Sequence, residues 1–152
     1  MTKEKNKNIK IALLIDTIHS AYHQEIISGI LSEAEKSDYS VFIFTGGILN
    51  SPFIIEQNPN YIYELVDKNF FSGIIILSSS IGIYVENSKI EELIDTFSPL
   101  PVVSLGIKAK NANSILIDNA TGLRELLEHL LFEHKYKSIA FFNGPYQNVD
   151  AR

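Results

Sequence analysis

Apolar runs alternate along this chain with amphipathic stretches. Ile9–Ile15 (Ile-Lys-Ile-Ala-Leu-Leu-Ile) is nearly unbroken and rich in β-branched residues, the pattern of a parallel strand buried on both faces. Asp16 closes it. Ser20 is placed to cap a helix, and Tyr22, Ile26, Ile27, Ile30, Leu31 and Ala34 then recur at helical spacing, which predicts an amphipathic helix over residues 20–37. Tyr39–Thr45 reads as a second strand ended by Gly46-Gly47. Residues 48–60 are irregular, with Asn50-Ser51-Pro52 and Asn58-Pro59 as breakers, and a short helix follows with Ile62, Leu65 and Val66 on one face.

The same alternation continues to the end. Gly73–Leu77 is a third strand running into Ser78-Ser79-Ser80. Ser88 and Glu91 have the spacing of a capping box ahead of Ile90, Leu93, Ile94 and Phe97, and Ser98-Pro99 stops that helix. Pro101–Leu105 and Ser114–Ile117 are strands four and five. Leu123, Leu126, Leu127, Leu130 and Leu131 build a last helix, and Ser138–Phe142 is a sixth strand ending in Asn143-Gly144-Pro145. Strands alternating with helices predict an α/β fold, a doubly wound parallel sheet of about six strands with right-handed crossovers.

Asp118-Asn119 is the most informative pair. It stands where a buried strand ends and a helix begins, and in open α/β sheets ligands bind outside the carboxyl ends of the strands. Asp and Asn at that position also cap the helix, so capping and ligand contact both stay open. Asp16, His19 and Tyr22 follow strand one at the same edge. An aromatic ring beside polar groups suits a sugar, because the ring covers an apolar face while the polar groups bind hydroxyls; packing of Tyr22 on the sheet is the alternative. Gly46-Gly47 lacks the spacing of a phosphate-binding loop, which leaves a turn or a cleft loop at Gly47. Ser78-Ser79-Ser80 is either a solvated loop or a row of hydroxyls lining the cleft, with Ser78 as the candidate.

Composition narrows the function. The 152 residues are 45% hydrophobic and 20% charged, enough for a domain with a real core. The net charge of -5 argues against direct nucleic-acid contact by this segment. Lys3, Lys5, Lys7 and Lys10 crowd the start, and residues 1–8 read as a disordered basic terminus. The chain has no cysteine, no signal-peptide pattern and no apolar run of membrane-spanning length, so a cytoplasmic protein without a membrane partner is expected. His129 and His134 fit no helical metal-binding spacing, Glu125, Glu128 and Glu133 form a charged helix face, and no nucleophile elbow, Walker loop or paired-carboxylate signature is present. No enzyme, metal or cofactor is predicted. A doubly wound enzyme domain and a bare dimerisation module are the competing classes.

The ordered motifs resemble the sugar-sensing effector domain of the LacI/GalR family, which shares the fold of periplasmic sugar-binding proteins. The residues that carry the resemblance are Ile11–Asp16 with Tyr22 and Gly29; Gly73–Leu77; Pro101-Val102-Val103; Ile117-Asp118-Asn119 with Gly122; His129-Leu130; and Ile139–Phe142 with Gly144-Pro145. Phe44–Pro52, Tyr63-Glu64-Leu65-Val66 and Pro99-Leu100-Pro101 are similar to LacI-like sensor regions fused to diguanylate cyclase (GGDEF) or histidine kinase outputs. The resemblance implies a small-molecule sensing lobe, for a sugar or nucleoside-like ligand, that controls transcription or a fused signalling output and pairs as a homodimer. It puts a polar ligand contact at Asp118 and the first ligand loop at Asp16, His19 and Tyr22, and it implies a ligand arginine near or just beyond Arg152. The family's effector domain has two lobes and is almost twice this length. Residues 9–152 are therefore expected to be an N-terminal lobe, without the second lobe and without a helix-turn-helix.

Overall fold

The computed structural model describes residues 9–142. The expectations for residues 1–8, for Asn143-Gly144-Pro145 and for Arg152 lie outside the described residues. The elements are β1 (Lys10–Ile15), α1 (Ala21–Lys36), β2 (Ser40–Thr45), α2 (Ile54–Gln57), a 3₁₀ segment (Asn58–Leu65), β3 (Gly73–Ile76), α3 (Ser78–Ile81), α4 (Asn87–Thr96), β4 (Val102–Leu105), β5 (Asn113–Ile115) and α5 (Asn119–Glu128). The sheet runs β2-β1-β3-β4-β5 and every pairing is parallel. In register, Leu14 lies between Phe44 and Ile76.

The chain moves outward from β1 to β2, then back past β1 to β3. Right-handed crossovers therefore put α1 on one face and the 3₁₀ segment with α4 on the other. Alternation along the strands matches this. Ala12, Leu14, Ile74, Ile76 and Val102 pack with Tyr63, Val66, Ile81, Ile90, Ile94 and Phe97, while Leu13 and Ile15 are equally buried on the opposite side of the pleat. The doubly wound α/β expectation holds.

Local expectations change in five places. The sixth strand over Ser138–Phe142 is not formed: a returning strand needs α5 to pack on a sheet face, and α5 buries no residue. Leu126 is 53% exposed. On α1 the inward stripe is His23, Ile26, Ile27, Ile30 and Ala34, so Tyr22 and Leu31 face out. The capping box is absent, because α4 begins one residue before Ser88 with Glu86 at its cap, and Glu91 instead lies 3.6 Å from Lys110. In the 3₁₀ segment Leu65 points to solvent and Tyr63 takes the buried place. Ser78 opens a short helix and does not lie in a loop.

Tyr63 joins the layers at the carboxyl ends of β1 and β2. Its hydroxyl lies 2.6 Å from the Gly47 carbonyl and 3.2 Å from that of Ile15. Gly47 has φ +71°, and a Cβ there would collide with the Glu56 carbonyl, so the turn requires glycine. Asn60 Nδ2 donates to the Gly46 carbonyl at 2.6 Å and closes the loop from the other side. Burial, and then the negative charge of Asp16, push the Tyr63 hydroxyl well above the ordinary tyrosine value of 10.0.

Two outcomes follow from this packing. In chemical denaturation of the 152-residue chain, Leu14→Ala costs about 2–5 kcal/mol, whereas Leu126→Ala stays within about 0.5 kcal/mol; equal losses would place α5 in the core. Tyr63→Phe costs about 1–3 kcal/mol at neutral pH, since it leaves a buried carbonyl without its donor. Tyr63 is neutral when protonated and holds its proton more tightly in the fold, so its contribution is complete below pH 10 and declines as pH rises further. The Tyr63→Phe protein should therefore lose stability less steeply than wild type above pH 10, and identical slopes would contradict the assignment.

Candidate functional site

Because the strands are parallel, the segments that follow them emerge at one edge of the sheet. That edge carries Asp16 after β1, Gly46-Gly47 after β2, Ser78–Ser80 after β3, and Asp118 shortly after β5. Asp16 follows the fully buried Ile15, so its side chain is drawn down to 8% exposure. A carboxylate in such a place needs polar partners. Ser80 donates to Asp16 Oδ1 at 2.6 Å. His23 brings Nε2 to 3.1 Å from the same oxygen, in an alignment too poor for a good hydrogen bond, so this contact is electrostatic.

The cap of α1 sets this arrangement. Ser20 Oγ accepts the backbone N–H of His23 at 3.1 Å and lies 2.5 Å from its Nδ1. His23 is the third residue of the helix and turns onto the sheet side beside Asp16. Serine, histidine and aspartate in a row invite comparison with a hydrolytic triad, but the order on the ring is inverted. The hydroxyl meets Nδ1 and the carboxylate meets Nε2, whereas a nucleophile is activated from Nε2. The Ser20 oxygen is also engaged as the helix cap.

The residues expected at the site divide into two groups. Asp16 lies at its centre. Tyr22 is 49% exposed and packs T-shaped against the His23 ring, the two ring centroids 5.6 Å apart. His19 is exposed on the same loop, its backbone N–H bonded to Thr17 Oγ1 at 3.2 Å. Asp118 and Asn119 are exposed at the start of α5. Asp118 Oδ1 accepts the Thr121 N–H at 3.1 Å, and Thr121 holds the carboxyl below the ordinary range. Capping by Asp118 is thus observed, and ligand contact stays open. Gly47 is buried as a turn residue with its carbonyl on Tyr63, so it shapes the edge from beneath. Ser78 is fully buried, its hydroxyl 2.8 Å from that of Ser104, and does not line the cleft as expected; Ser80 is the serine that meets Asp16.

Sequence reasoning passed over His23, and within Ser78-Ser79-Ser80 it singled out Ser78 where Ser80 makes the contact. His23 carried a signal: it lies three residues after a serine cap and opens the inward stripe of α1.

Two other features lie apart from this edge. An apolar groove of about 590 Å³ lies at the opposite ends of the strands, between α1 and the sheet, lined by Ile11, Ile30, Ala34, Gly73, Pro101 and Val103. Its lining offers little to a polar ligand. A single π-turn over His129–Glu133 brings the Nε2 atoms of His129 and His134 within 3.0 Å of each other. Two imidazoles are fewer protein ligands than zinc sites use, and the described residues contain no group of three or more metal-ligating side chains. No helix among the described residues is long and apolar enough to cross a membrane.

No protein-family profile and no curated sequence matches the chain. Solved structures do. A lac repressor dimer bound to operator and the anti-inducer ONPF is 19% identical, with a TM-score of 0.70 over 96% of this chain and 48% of that one. The transcription regulator CcpA of Lactococcus lactis is 23% identical, with a TM-score of 0.69 over 95% and 49%. A periplasmic binding protein/LacI transcriptional regulator from Alkaliphilus metalliredigens, complexed with D-xylulofuranose, is 22% identical, with a TM-score of 0.64 over 93% and 47%. The chain spans about half the length of each. At this identity the likeness is one of fold: the chain has the α/β, periplasmic-binding-protein-like fold of one lobe of LacI-type regulators.

Proposed function

We propose that this chain is one lobe of a ligand-sensing domain of LacI/GalR type, binding a small polar molecule, a sugar or nucleoside, at the carboxyl edge of its sheet. One observation carries the reading. Asp16 is a nearly buried carboxylate anchored by Ser80 and His23, with the exposed Tyr22 ring against His23, at the edge where open α/β sheets bind ligands. An acceptor next to a ring is the pairing that a sugar's hydroxyls and apolar face require. The similar solved structure complexed with D-xylulofuranose supports the same ligand class.

In this reading the chain is a binding lobe and not an enzyme. Closure of a second lobe over the ligand stabilises one of two states of an attached output. Transcriptional control is the output that the similar structures favour. A fused diguanylate cyclase or histidine kinase is the alternative suggested by the residues around Phe44–Pro52. Pairing of two copies in the cytoplasm completes the picture, as the repressor dimer suggests.

One lobe supplies half a cleft, and ligands are held tightly only when most of their surface is covered. Calorimetry with monosaccharides should give weak or no heat for the 152-residue chain and clear binding for a chain extended through a second lobe. Equal affinity would contradict the half-site. Asp118→Asn separates the two roles of that residue, because asparagine caps as well as aspartate but lacks the charge. Melting temperature should hold, while affinity of the extended protein falls by about 1.5–3 kcal/mol, the scale of a hydrogen bond to a charged group. Unchanged affinity would leave Asp118 as a cap alone.

A further inference from the structure

One tautomer of His23 suits the polar atoms around its ring, with the Nε2 contact an electrostatic one. Ser20 Oγ accepts the His23 backbone N–H, so its own hydrogen is available to Nδ1, 2.5 Å away. Nδ1 is then the acceptor, and the ring hydrogen sits on Nε2, the atom 3.1 Å from Asp16 Oδ1. Ser80 donates to that same oxygen. Both anchors fall on Oδ1, which leaves Oδ2 as the oxygen to receive a donor from outside the protein. The side chains of Asp16 and His23 are each more than nine-tenths buried, so a ring without this hydrogen would place two acceptors against each other away from water.

The other groups around the pair keep this polarity. The Tyr63 hydroxyl sits on the Ile15 and Gly47 carbonyls beneath Asp16, and the Tyr22 ring meets His23 edge-on. We propose that His23 is a positioning residue: as its Nε2–H tautomer it steadies Asp16 so that the second carboxylate oxygen accepts a ligand hydroxyl or amine. The inference rests on reading this edge as a ligand site. It also sets the ligand chemistry at that point, a hydrogen-bond donor such as one of a sugar's vicinal hydroxyls. A phosphate or carboxylate placed there would face the charge of Asp16 and be repelled.

Two measurements test this. Long-range proton–nitrogen spectra of histidine-labelled protein, with the His23 signals assigned by their loss in His23→Gln, report the tautomer without any ligand. The account requires the hydrogen on Nε2, and a hydrogen on Nδ1 would overturn it. Affinities of the full-length protein are then measured by calorimetry with D-ribose, D-xylulose, D-glucose and adenosine, and the tightest of these is carried through the variants. His23→Leu should weaken that probe about tenfold or more, the scale of a charged hydrogen bond. His23→Gln, whose amide reaches the position of Nε2, should restore most of the loss. In an Asp16→Asn background, His23→Leu should cause no further loss, because the two residues act through one contact. A purely structural histidine would lower the melting temperature and leave affinity unchanged, which would overturn the proposal. A protein that holds the Nε2–H tautomer and binds none of the four probes would overturn the ligand role of this edge while leaving the His23–Asp16 geometry in place.

Discussion

Parallel pairing of β1 along both of its edges is the constraint on which the rest depends. A strand bonded on both sides and packed on both faces must be apolar through its length, which is why Leu13, Leu14 and Ile15 reach zero exposure. Parallel neighbours cannot be joined by tight hairpins, so each connection must travel back along the sheet as a crossover. Those crossovers put α1 on one face and the 3₁₀ segment with α4 on the other. They also deliver the end of each strand to the same edge. Asp16 is therefore fixed in depth by the burial of β1 and in direction by the pleat.

A carboxylate at the end of such a strand is held by its partners. Ser80 arrives from the segment after β3, and His23 from the first turn of α1. The polar centre is thus assembled from three separate stretches of chain that meet only because β1 lies between β2 and β3. Beneath it, Tyr63 closes the ends of β1 and β2 with one buried hydroxyl, and Gly47 adopts a backbone conformation that a Cβ would block. The site has a buried, hydrogen-bonded floor, while Tyr22 and His19 remain exposed.

The parallel strands were legible because their signal is local: short, β-branched runs bounded by Asp, Gly and Ser. The placement of Asp16 and Asp118 at one edge followed from those strands alone. The rest depended on contacts between distant residues. His23 reads as a polar residue on an amphipathic helix, and only the register of α1 against β1 turns it inward instead of Tyr22. Ser78 and Ser80 are indistinguishable in a run of three serines until a short helix rotates one toward Ser104 and the other toward Asp16. Capping at Ser88 was a matter of spacing, and Glu86 took the position. The last helix and the strand after it were read from periodicity, but periodicity states which face is apolar and not what that face meets. In the described residues, α5 buries no side chain.

The central claim is that a polar ligand is received at the carboxyl edge around Asp16. It is tested most directly by titrating nitrogen-15-labelled protein with D-ribose and D-glucose at concentrations high enough to reveal weak binding, and following each backbone amide. The account predicts shifts confined to residues 16–23, 46–49, 78–81 and 118–119, and their loss in Asp16→Asn. Shifts centred instead on Ile11, Ile30 and Gly73, around the apolar groove at the opposite end of the strands, would contradict it.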